Sequence, residues 1–121
     1  MLRYDEDNLA ELVAELLDTA RSVPSGRAAR TIMGDHEHAL RQTVIALRGG
    51  EQLNEHESPG EATLQVLAGR IRLVAGEEAW DGASGDHLAI PPRRHRLDAV
   101  EDSAVLLTVV KRPVGDYPAS P

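Results

Sequence analysis

The chain has 121 residues, 41% of them hydrophobic, and 13 Lys and Arg against 20 Asp and Glu give a net charge of −7. That length suits one domain. The acidic balance argues against a nucleic-acid partner, whose phosphates need clustered cations, and the lack of cysteine rules out disulfides and thiolate chemistry.

Tyr4, Trp80 and Tyr117 are the only aromatic residues, so a core has to be built from Leu, Val, Ile and Ala. No apolar run approaches the ~18 residues of a membrane span. Residues 1–6 form no apolar leader, so the expectation is a cytoplasmic protein with no membrane partner.

Residues 8–22 read as an amphipathic helix. Leu9, Leu12, Val13, Leu16, Leu17 and Ala20 recur at helical spacing and make one apolar stripe. Asn8 is a natural N-cap with Glu11 three residues on, and Asp5, Glu6 and Asp7 suit the positive end of the helix dipole. Pro24, Ser25 and Gly26 end the helix. Such a stripe must be covered, either by the chain's own sheet or by a partner.

From Ala28 the pattern changes to short apolar-rich segments near 28–33, 40–48, 52–57, 62–68, 70–75, 78–80, 87–91, 95–99 and 103–111. Gly, Pro, Asp and Ser turn signals separate them. Many strands without intervening helices predict a sandwich or barrel. Ala104 to Val110 lacks polar alternation except at Thr108, which predicts a central strand buried on both faces. The organisation expected is a helix and linker over 1–27, a β-barrel over 28–112 and a flexible tail over 113–121.

Two glycine-bounded blocks stand out. In the first, Gly50 is followed after five residues by His56, with Ser58 two positions on, Ala62 four beyond that and Gly69 at the end. The second runs from Gly85 through Pro91 to His95. This arrangement resembles the cupin family over about residues 40–110. The resemblance implies an all-β protein with an N-terminal α-helix, its barrel a double-stranded β-helix or jelly roll. In the family pattern the first block carries His-x-His and then Glu. Here His56 keeps the first position, while Ser58 and Ala62 stand at the second His and the Glu. In the second block Arg93 replaces a glycine and His95 arrives one residue early.

Residues 56 and 58 share one face of a strand, because side chains alternate with period two. A carboxylate and a remote imidazole converging there would complete a transition-metal site with open positions. Two readings stand at this point. In one, His56, Ser58, Ala62 and His95 line a pocket for a small molecule and the metal site is incomplete. In the other, His56 and His95, with Glu61 swung inward after the Pro59–Gly60 turn, hold Fe, Mn, Ni or Zn. The chain would then be a metal-dependent cupin enzyme of the dioxygenase, isomerase or decarboxylase type. Glu55 and Glu57 have the opposite parity to His56.

The remaining candidates read as structural. His36 and His38 belong to an exposed hairpin, and His87 to a strand start at the rim. Gln65 faces away from the pocket by parity with Ala62. Trp80 is an anchor in the core or an interface; Arg41 reads better as a surface residue than as one whose stem crosses the barrel mouth, and Arg93–Arg94–His95–Arg96 better as a solvated turn than as an anion site at a pocket mouth. The resemblance also implies a homodimer, formed through the helix stripe or the strand around residues 40–47.

Overall fold

The computed structural model describes residues 7–56 and 60–111, without the side chains of Glu55 and His56. Its elements run α1 (Leu9–Ser22), β1 (Arg27–Met33), β2 (Leu40–Leu47), β3 (Gln52–His56), β4 (Gly60–Ala68), β5 (Arg70–Ala75), β6 (Glu78–Ala83), β7 (His87–Ala89), β8 (His95–Ala99) and β9 (Ser103–Lys111). Each segment expected from the sequence contains a strand. β7 is shorter than expected because Pro91 and Pro92 have no N–H for a ladder, and its pairing ends with the Ile90 N–H on the Ala62 carbonyl at 3.0 Å.

The strands form two antiparallel sheets that face each other. One has the order β1-β2-β9-β4-β7 and the other β3-β8-β5-β6. This is a jelly-roll barrel. Its interior gathers Leu47, Leu64, Val66 and Val105 from the first sheet and Ile71, Leu73, Leu97 and Ala99 from the second. Trp80 is half-buried against this cluster, which makes it a core anchor.

The other face of the five-stranded sheet is also apolar. Val44, Ala46 and Ala104 receive Leu12, Leu16, Leu17 and Ala20 of α1. The helix begins where the sequence sets it, with the Glu11 N–H donating to Asn8 Oδ1 at 3.0 Å. Its stripe is therefore covered by the chain's own sheet, so the helix stripe expected as a dimer contact is occupied within one molecule. The strand at 40–47 is likewise flanked by β1 and β9 and lies under the helix. β9 is central, with none of its residues fully exposed, as its unbroken apolar run requires.

Gly69 joins β4 of one sheet to β5 of the other. It has φ +83°, and a Cβ there would collide with the Asp102 carbonyl and Ser103 Oγ. Ser103 is buried, accepts the Arg70 N–H at 3.0 Å and has the Glu101 and Arg70 carbonyls at 2.7 and 2.9 Å for its own proton. Next to this turn, Asp102 accepts from Arg21 Nε at 2.7 Å and from the Gly49 N–H at 2.8 Å, so it ties α1 and the β2–β3 turn to the β8–β9 turn. The Arg21 guanidinium, and then the Gly49 amide, hold its carboxyl below the ordinary carboxylate range.

Two outcomes follow from this corner. In urea denaturation, Gly69→Ala should cost more than the ~1–2 kcal/mol of a left-handed non-glycine residue alone, and Ser103→Ala about 1–3 kcal/mol for the unsatisfied Arg70 N–H. Because the folded state depresses the Asp102 pKa, its contribution is complete above the unfolded value of about 3.9 and is lost as pH falls through the lower folded value. The stability difference between wild type and Arg21→Gln should therefore be constant near neutrality and shrink only below about pH 4, as read from urea midpoints.

Candidate functional site

Three strands of the five-stranded sheet set the inner wall at one end of the barrel. Alternation along β2, β9 and β4 points Ile45 and Leu47, Val105 and Leu107, and Leu64 and Val66 inward. The same parity places Arg41, Val109 and Ala62 on that wall, and the register sets them side by side: Arg41 pairs with Val109, and Val109 with Ala62. The next row inward is Thr43, Leu107 and Leu64. Between this wall and the opposite sheet lies a cavity of about 30 Å³, lined among the described residues by seven Leu and Ile side chains and by His95.

His95 begins β8 and is 4% exposed. Its Nδ1 lies 2.8 Å from the Arg93 carbonyl. A carbonyl can only accept, so Nδ1 carries a proton. The one-residue-early histidine of the second block thus does reach the interior. The following residue, Arg96, faces outward and donates to Asp98 at 3.1 Å. Arg93 is paired with Glu78. Both arginines are thereby charge-compensated, in keeping with the solvated turn expected there.

The first block is only partly described. Main-chain register sets His56 opposite His95, with the ladder irregular between Leu53 and His56. The imidazole of His56, and the whole of Ser58, lie outside the described residues. Ala62 is buried on the inner wall, at the position where the family pattern has its carboxylate. Glu61 is exposed on the opposite face of β4. The expected inward swing does not occur, because β4 pairs with β9 in unbroken register from Gly60 to Val66 and alternation holds throughout.

The described part of this donor set does not fit a divalent metal. Among the described residues no group of three or more His, Asp or Glu is placed to hold one. Even with both histidines turned inward, two neutral imidazoles would lack the anionic ligand that the motif normally supplies.

The other candidates fall as follows. His36 is exposed in a turn where His38 Nδ1 meets Asp35 Oδ1 at 2.6 Å, and His87 is exposed at the start of β7. Gln65 is exposed on the outer face. Arg41 departs from the sequence expectation. It is half-buried, and its Nε is removed from solvent with no hydrogen-bond partner. Parity alone could have found it, since residues 41, 43, 45 and 47 share a face.

No family model matches the chain, and no curated protein matches it. Solved structures do. A conserved protein of unknown function from Streptococcus pyogenes is 30% identical with a TM-score of 0.67, over 76% of this chain and 80% of that one. A cupin superfamily protein from Desulfitobacterium hafniense has a TM-score of 0.66 at 15% identity, over 71% and 78% of the two chains. A salicylate 1,2-dioxygenase from Pseudaminobacter salicylatoxidans has a TM-score of 0.69 at 20% identity, over 83% of this chain but 33% of the enzyme. The last two likenesses concern the fold alone.

The ring geometry of His95 is open to direct measurement. Nitrogen-15 shifts taken where the ring is neutral should show Nδ1 protonated and Nε2 bare, the reverse of the tautomer that dominates in free histidine. An Nε2–H signal for His95 would contradict the Arg93 hydrogen bond.

Proposed function

Since this chain is a small member of the cupin family, we propose that it uses the barrel to bind a small molecule and does so without a complete metal site. The observation that carries this reading is Ala62, a buried methyl on the inner wall where the family pattern has a coordinating carboxylate. The cavity beside it supports the same reading. Among the described residues its lining is aliphatic except for His95, the usual character of a pocket that takes an apolar group and orients it through few polar contacts. Likeness to a dioxygenase does not bring that enzyme's reaction with it, because one fold hosts many chemistries.

A second reading keeps metal-dependent catalysis through His56 and His95, and the backbone register that sets these two residues opposite each other favours it. A cytoplasmic setting and a homodimer remain part of the proposal. Dimerisation would have to use a surface other than the helix stripe, which the sheet already covers.

Metal analysis separates the two readings. Protein prepared without a histidine tag should carry far less than one equivalent of Fe, Mn, Ni or Zn after exposure to each. Stoichiometric metal that His56→Ala removes would overturn the first reading and establish the second. Restoring the motif with Ser58→His and Ala62→Glu should raise the affinity for Ni or Zn by roughly two orders of magnitude or more, since it adds both missing ligands.

A further inference from the structure

Among the described residues, Arg41 is a charged side chain on the inner wall whose situation the barrel itself does not explain. It shares a register row with Val109 and Ala62, both buried. Its Nε is buried and unpartnered, the only buried side-chain nitrogen or oxygen among the described residues in that state. A cationic donor in this condition is unfavourable, because a lost hydrogen bond to a charged group costs more than one to a neutral group. The other arginines with compensated charge show what is missing: Arg72 has Asp81, Arg96 has Asp98 and Arg48 has Glu51. The nearest acidic residue of the row's own strand, Glu61, is on the far side of the sheet.

The row also determines what could approach. Ala62 and Val109 are short and uncharged, and a positive charge beside them repels a divalent cation while attracting an anion. Guanidinium is planar and matches a carboxylate through two parallel N–H···O bonds. Moving inward from this row by two residues, about 7 Å along the strand, reaches Leu107 and Leu64, which line the cavity. At about 30 Å³ the cavity has room for one or two methyl-sized groups.

We propose that Arg41 binds the carboxylate of a short, branched aliphatic monocarboxylate whose methyl groups enter the cavity beside His95. This rests on the barrel-binding reading and deepens it by naming the ligand class and the residue that selects it. The site has exchanged a protein carboxylate and a metal for a protein cation and a ligand carboxylate.

The test is methyl NMR titration of the full chain with isobutyrate and with isobutyramide, which has the same shape and no charge. Isobutyrate should bind about tenfold more tightly or better, with shifts at Ile45, Leu64, Ile90 and Leu107. Arg41→Met should abolish that preference and still bind the amide, and Arg41→Lys should restore part of it. Arg41→Met should also match or exceed the wild-type melting temperature without ligand, since an uncompensated buried donor has been removed. Equal affinity for acid and amide in the wild type, or an acid preference that survives Arg41→Met, would overturn the role of Arg41 and leave barrel binding standing. Binding of neither compound at tens of millimolar would overturn the ligand class. If benzoate or larger apolar probes also produce no shifts at the cavity methyls, the barrel-binding reading fails with it.

Discussion

The five-stranded sheet has to bury both of its faces. β2, β9 and β4 carry apolar residues on both parities, so no arrangement of this sheet alone can satisfy them. The second sheet covers one face and α1 covers the other. Burying Leu12, Leu16 and Leu17 in this way contributes roughly 1.5–3 kcal/mol per side chain, which explains why the helix lies on its own sheet and not against a neighbour. Double burial also fixes register. A slip by one residue in β9 would exchange the barrel-facing set for the helix-facing set and misplace both.

That fixed register is what gives the candidate site its composition. Arg41, Val109 and Ala62 meet because the pairings of β2 with β9 and of β9 with β4 leave no alternative. The site is thus a by-product of core packing in position, and specific only in residue type. With a carboxylate in place of Ala62, the same row would present a metal ligand. With Ala62 it presents a cation beside a methyl.

Much of this was legible in the sequence. Short apolar-rich segments and their turn residues marked all nine strands, and helical spacing with Asn8 marked α1, since both follow from local chemistry. The glycine spacing of the two blocks pointed to the family, because a positive-φ corner such as Gly69 admits little else. The site was less legible. Arg41 was expected at the surface on the strength of its charge, although its parity with Ile45 and Leu47 pointed inward. Glu61 was allowed an inward swing because a Pro-Gly turn precedes it, yet the ladder with β9 restores strict alternation from its first residue. His95 could not be placed from spacing alone, since a turn one residue shorter reverses parity unless the backbone adjusts within it. In each case long-range pairing, which no local window contains, decided the outcome.

β9 lies between β2 and β4 but follows both in the chain, more than fifty residues after the first of them. On the ribosome, then, the two neighbours emerge with apolar faces and open ladder edges and must wait for their shared partner. Closing so large a loop is slow in entropic terms, and the waiting strands are the kind that associate with other nascent chains. The order of synthesis therefore sets how long those edges stay open, and α1, made first, is at hand to shield β2 until the middle of the sheet arrives.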